Sequence, residues 1–331
     1  MAAIGVAAAV LASASGCSSA SGGGATPPPA AATATTAPAP NAGWTLPSGP
    51  RVVFRNTRAG DGFGKVASVP LNGPGGERRV SPVACERVYA TRAALSCMSR
   101  TSIDPVGYSE TLHDGDGTEG PRWSLPGAPS RTRLSADSKL AAWTAFVDGE
   151  SYANVKFATQ TVLTDVHGTY YGPLDAFTLL LDAKPYSAQD LNFWGVTFAH
   201  DDNTFYATAS SAGHHWLVKG NIRGRTVTAI RDGVECPSLS PDGTRIAFKK
   251  NVGTADAPRW TLAVYDLASK AETVLPLKGN VDDQAEWLDD RTVLFGLPAA
   301  GDDANVYAAP ADGSAPEILF LEHASSPSVV R

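Results

Sequence analysis

Between Pro237 and Phe248 the chain reads Pro-Ser-Leu-Ser-Pro-Asp-Gly-Thr-Arg-Ile-Ala-Phe. The alternation of apolar and polar positions predicts a hairpin. One strand ends at Ser240, and Ile246 and Phe248 share one face of the next. Ser240, Pro241, Asp242 and Gly243 make the turn: Pro presets its entry, and Asp-Gly supplies a positive φ at little steric cost. Weaker copies follow the same pattern. They are Leu134 to Trp143, Phe198 to Ala207, Trp287 to Phe295 with one residue fewer, and Cys85 to Cys97.

A second element follows each hairpin: an apolar strand, a small polar turn and another strand. It is clearest at Thr261–Leu275 and Asn305–Leu319, present at Lys65–Gly73 and Trp216–Ile230, and fainter at Tyr108–Leu125 and Thr161–Leu174. Six units over 44–331, at about 48 residues and four strands each, predict an all-β, six-bladed β-propeller with antiparallel blades. The first unit, from Arg51-Val-Val-Phe54, lacks its leading strand, and Ser325–Val330 at the other end offers one. Pairing the C-terminal strand into the first blade closes the ring and removes a raw sheet edge.

The 237–248 unit resembles the repeat of TolB-like six-bladed β-propellers, a WD-like repeat of periplasmic and exported bacterial proteins. The resemblance covers 44–331 as architecture and is specific over 237–248. TolB carries an α/β domain ahead of its propeller, whereas in this chain a stretch of low complexity takes that place. TolB's translocation role is therefore not expected to carry over.

That stretch lies within a segment without charge. All 27 basic and 33 acidic residues follow Pro50, so the net charge of −6 describes the repeating body alone. A mildly acidic body excludes a basic nucleic-acid binder. At 43% hydrophobic the chain can bury a core, and 32 Gly with 24 Pro suit many turns. Ile4–Ala12 is apolar but too short to span a bilayer. Ala14-Ser15-Gly16-Cys17 resembles a lipobox, in which the chain is cut before Cys17 and its thiol carries the lipid. The n-region lacks Lys and Arg, and Ala14 stands where Leu is commonest; the competing reading is an ordinary cleaved signal peptide. The expected organisation is a signal peptide over 1–16, lipidated Cys17 with an Ala/Pro/Thr/Gly-rich tether to 43, and the propeller over 44–331. As a flexible chain the tether reaches about 28 Å. Together, lipobox and composition resemble an actinobacterial lipoprotein, anchored to the outer face of the cell membrane.

Candidate chemistry is sparse. Cys85 and Cys97 lie symmetrically about Thr91 on one hairpin, within reach of a disulfide that an exported location permits. Asp114, Asp116 and Glu119 form a Gly-rich acidic loop with oxygen ligands that suit Ca²⁺. The same residues serve any hairpin turn, so no metal or cofactor is assigned. The pairs Asp282-Asp283, Asp289-Asp290 and Asp302-Asp303 read as solvated turns with an acidic rim. No His has a partner at metal-ligand spacing, and there is no Gly-x-Ser-x-Gly or phosphate loop. Trp143, Trp194, Trp260 and Trp287 read as inter-blade core. No catalytic residue is assigned. The expected function is a monomeric, non-catalytic binding or scaffold module for a protein, peptide or glycan of the cell envelope. The alternatives are a hydrolase or lyase with a site at the channel mouth, and an envelope sensor or structural protein.

Overall fold

The computed structural model describes residues 44–147, 158–254 and 256–331. Signal peptide, Cys17 and tether lie outside them. Each blade is built on four antiparallel strands stacked outward from the ring's axis. In that order, blade 1 runs Ala324–Val330, Arg51–Asn56, Lys65–Pro70 and Arg79–Ala84. Blade 2 is Arg87–Ala90, Ala94–Ile103, Val106–Asp114 and Glu119–Ser124, and blade 3 is Pro129–Leu134, Leu140–Phe146, Thr159–Asp165 and Tyr170–Pro173. Blade 4 holds Asn192–Phe198, Thr204–Ser211, His214–Asn221 and Thr226–Arg231, and blade 5 Glu235–Leu239, Arg245–Asn251, Trp260–Asp266 and Glu272–Val274. Blade 6 is Glu286–Asp289, Thr292–Pro298, Ala304–Pro310 and Ile318–Leu321. The innermost strands touch one another in a ring around the axis.

The ring closes through the chain's last strand, with Arg51 paired to Val330, Val52 to Val329 and Val53 to Ser328. One sheet is larger than expected. Thr178–Leu181 runs parallel to Thr226–Arg231 at the outer edge of blade 4, and Lys184–Tyr186 pairs beyond it. This added hairpin covers an edge that would otherwise expose a row of unpaired backbone groups.

Among the described residues, each pair of neighbouring blades shares an apolar cluster. Between blades 2 and 3 it contains Met98, Leu112, Trp123, Trp143 and Val162. Between blades 5 and 6 it contains Leu262, Trp287, Val293 and Phe295. Alternation along the strands places one side of each blade against each neighbour, so both faces are apolar. Trp143, Trp194 and Trp287 are fully buried, while Trp260 is half-buried with the Lys249 ammonium 4.1 Å over its ring.

The repeat's turn is locked by its own side chains. The Ser240 hydroxyl donates to Asp242 Oδ1 at 2.5 Å, and the same carboxylate oxygen accepts the Thr244 amide at 3.0 Å. Burial works against the Asp242 charge, but the bonds from Ser240, Thr244 and Arg245 outweigh it and hold the carboxyl well below its usual range. Gly243 has φ +71°. In the blade 3 copy, Ser135 and Asp137 repeat the side-chain bond, and Ser138 takes the positive φ.

Innermost strands all begin at one end of the ring, the entry face, where the turns between each blade's second and third strands also lie. The opposite end is the base face. Trp44–Pro47 sits there, with the Leu46 amide donating to Gly115 O at 3.0 Å in the Asp114–Glu119 turn. Gly117, at φ +84°, is needed for this approach, because a Cβ there would stand 2.0 Å from Trp44 O.

Candidate functional site

The axis is occupied by side chains. Arg133 on blade 3 and Glu286 on blade 6, opposite one another in the ring, form a direct ion pair between side chains 8% and 6% exposed. Tyr89 on blade 2 donates to Glu286 at 3.3 Å and accepts from Arg133 at 3.1 Å. The guanidinium also donates to Ser238 Oγ of blade 5 at 3.3 Å, and the Val329 amide of blade 1 donates to Glu286 at 3.2 Å. Gln284 brings in blade 4 by donating to Val196 O at 3.2 Å, and it donates to Pro237 O at 2.7 Å. The Arg133–Glu286 network thus ties the innermost strands of five blades, and Gln284, two residues before Glu286, joins blades 4 and 5 beside it. Burial, reinforced by the Glu286 charge, pushes the Tyr89 hydroxyl up to about 12. Burial alone would lower Arg133, but Tyr89 and Glu286 reverse that and hold it charged.

A second set of charges lies nearer the entry face. Lys249 contacts Asp282 at 2.6 Å and Glu235 at 3.3 Å, and Arg131 contacts Asp283 at 3.5 Å. Burial opposes the Lys249 charge, yet Cys236, Glu235 and Asp282 outweigh it and raise its pKa. Asp282 is held down despite its burial, chiefly by Lys249. Asp282 is still half-exposed, as expected of a rim residue, and the structure adds that Asp282 and Asp283 serve as counter-ions to Lys249 and Arg131. Asp303 likewise accepts the Thr57 hydroxyl at 2.6 Å, and Asp290 accepts the Asp242 amide at 3.0 Å.

One cavity inside the channel, lined by Tyr89, Arg131, Arg133, Gln284 and Glu286, is about 30 Å³. That holds little more than a single water. Toward the entry face the channel widens over blades 1 and 2 into an open recess of about 600 Å³, lined by Arg55, Phe63, Glu86, Arg87, Arg100, Tyr108 and Asp302 among others. Recesses of about 200 Å³ beside Trp44 and about 320 Å³ beside His167 and Arg223 lie away from the axis.

The mouth is built by the strand ends of blades 1 and 2. Arg55 Nε donates to Cys85 O at 3.0 Å, and its guanidinium lies 5.0 Å over the Phe63 ring. Arg100 lies 5.9 Å over Tyr108. The Glu86 carboxylate sits between them, 3.6 Å from Arg55 and 3.9 Å from Arg100. Cys85 and Cys97 are joined at 2.04 Å, directly behind Glu86 and Arg87. The register differs from the symmetric one expected. The turn is Thr91–Ala94, Val88 faces Cys97, and Cys85 precedes the strand. Cys236 is buried, and its thiol is pushed up to about 11 by that burial.

The acidic loop is a turn on the base face. Asp116 Oδ1 accepts the Thr118 amide at 3.0 Å, which with the Thr118 hydroxyl lowers its pKa, and Asp114 closes the hairpin through its backbone. Among the described residues no group of three or more His, Cys, Asp or Glu could hold a metal ion. Ser240, Pro241, Asp242 and Gly243 lie on the base face as well. None of these sequence-chosen residues meets at the mouth. The charges that do, Arg55, Glu86, Arg87 and Arg100, carried no motif. The one sequence signal near the axis is a charge inside the leading strand of several units, Arg133 before Leu134 and Glu286 before Trp287.

No protein-family model matches the sequence, and no curated protein matches it. Solved structures do. TolB from Acinetobacter baumannii aligns with TM-score 0.58 at 15% identity, over 85% of this chain and 66% of that one. The fold is that of TolB-like six-bladed β-propellers. A putative TolB from Agrobacterium tumefaciens aligns with TM-score 0.51 at 13% identity, over 84% of this chain and 92% of its own. The hydrazine synthase of Kuenenia stuttgartiensis reaches TM-score 0.58 at 11% identity, over 86% of this chain and 47% of that one. Such identities carry fold and leave function to the site.

Proposed function

We propose that the chain is an exported, lipid-anchored propeller acting as a non-catalytic binding or scaffold module for a protein, peptide or glycan of the cell envelope, with its entry face as the binding surface. The observation that carries this is the contrast between the two halves of the axis. Inside, opposite charges are paired and bonded across the axis, so the channel is closed by groups that engage chiefly one another. At the entry face the same axis opens into a wide, charged recess on loop ends, where propellers and other rigid scaffolds place variable function.

The test is cross-linking and co-purification of the full-length chain from membrane extract, with Arg100→Glu beside the wild type. The expected result is a stoichiometric partner on the wild type that is lost from the variant. A partner kept equally by both would overturn the entry face as the binding surface.

A further inference from the structure

We infer that the mouth recess is a carboxylate-binding site, in which Arg55 and Arg100 receive the carboxylate of a ligand in place of Glu86. This rests on the reading of the entry face as a binding surface and adds the chemistry it recognises.

Three observations converge. First, two guanidiniums from different blades aim at one point. Arg55 comes from blade 1 and Arg100 from blade 2, and the Glu86 carboxylate marks the point by taking one oxygen to each. Second, the Glu86 contacts, at 3.6 and 3.9 Å, are longer than charge-assisted hydrogen bonds of about 2.7–2.9 Å. Backbone bonds fix this residue: its amide donates to Met98 O at 2.7 Å, and the Cys85–Cys97 link lies next to it. Glu86 thus neutralises the pair without satisfying it, and a mobile carboxylate can approach closer. Third, both guanidiniums are pre-set. Arg55 is held by Cys85 O and lies 5.0 Å over Phe63, and Arg100 lies 5.9 Å over Tyr108. Their remaining N–H groups form the planar fork that matches a carboxylate, with less side-chain entropy to lose on binding. Those ring faces are already covered by guanidinium. The recess therefore reads charge before it reads a sugar ring.

The recess, at about 600 Å³, admits a ligand much larger than the carboxylate itself. Above it the blade 2 arm, the strands Ala94–Ile103 and Val106–Asp114, ends in Ile103 and Val106, which are 81% and 55% exposed.

The experiment is calorimetric titration of the full-length chain, at low ionic strength, with succinate, with inorganic phosphate and with neutral succinamide. Succinate should bind saturably and weaken as salt is added, because the site is open to solvent. Arg100→Ala, at a half-exposed position that leaves the core intact, should weaken succinate about tenfold. Glu86→Gln removes the internal competitor and should tighten it. Thermal melts establish that both variants are folded. No saturable succinate heat with folded wild type and Glu86→Gln would overturn the inference, as would Arg100→Ala binding like the wild type. Succinamide binding as tightly as succinate would overturn the role of charge, and phosphate doing so would overturn the assignment to a carboxylate. A partner captured through the entry face while succinate fails to bind would sink this inference and leave the binding module standing.

Discussion

Arg133 and Glu286 meet across the propeller axis from opposite blades, each less than a tenth exposed. The pair does for the innermost strands what the apolar clusters do further out. It gives the inner edges of five blades a shared partner, and every additional bond, from Tyr89, Ser238 and the Val329 amide, ties in another blade. Desolvating two charges is costly, so the value of the pair lies in register and closure more than in raw stability.

Removing one partner is therefore expected to cost more than removing both. Glu286→Gln leaves the Arg133 guanidinium buried without its counter-charge, and should lower the unfolding free energy by about 3–5 kcal/mol. The double change Arg133→Met with Glu286→Leu should recover most of that loss. Urea unfolding of the three proteins checks this. Equal losses in the single and double variants would count against an energetic pairing.

Glu110 predicts a pH dependence. It is fully buried on blade 2, and one oxygen accepts the Ser96 hydroxyl at 2.5 Å while the other has no partner. Burial pushes its pKa up to about 8, against an ordinary value of 4.5, with the Ser96 bond opposing. The folded chain thus keeps a proton that the unfolded chain releases. Stability is full below pH 4.5 and is lost as pH rises through about 8. Glu110→Gln, which mimics the protonated group, should flatten this part of the profile. Melting temperatures at about pH 5 and about pH 9 that shift equally in both proteins would refute it.

The link between Cys85 and Cys97 closes a 12-residue separation and backs the wall that carries Glu86 and Arg87. A cross-link of that span restricts the unfolded chain by about 3 kcal/mol. The protein should yield a linked Cys85–Cys97 peptide in non-reducing mass spectrometry, and the double Ala variant should melt lower. Free thiols at both positions in exported protein would exclude the bridge there.

Local physics was legible in the sequence, and convergence across blades was not. The hairpin at Ser240–Gly243 declares itself because turn, bond and strand lie within a dozen residues, and ring closure followed from one missing strand at Arg51 and one spare at Ser325. Symmetry about Thr91 sets Cys85 opposite Cys97, but it ignores the extra turn residues up to Ala94, and the residue opposite Cys97 is Val88. The Thr178–Tyr186 hairpin escaped because its partner, Thr226–Arg231, lies beyond three intervening strands and pairs in parallel. The site itself was hidden for the same reason. Arg133 and Glu286 are 153 positions apart, and Arg55 of blade 1 meets Glu86 from the link between blades 1 and 2. Only a charge directly before the apolar residue of the leading strand, Arg133 before Leu134 and Glu286 before Trp287, hinted at the former pair. Nothing in the spacing marked the latter.

Anchoring is an expectation that Cys17 decides. Among the described residues no helix is long and apolar enough to cross a membrane, and the tether that follows Cys17 carries no charge or large apolar residue. One acyl-bearing Cys changes this, since each buried methylene contributes about 0.8 kcal/mol to membrane affinity and a diacylated residue carries two chains. Cys17→Ser should therefore move the protein from the membrane pellet to the soluble fraction after cell fractionation. Fractionation with membranes that persists in the Ser variant would show that something other than a lipid holds the chain there.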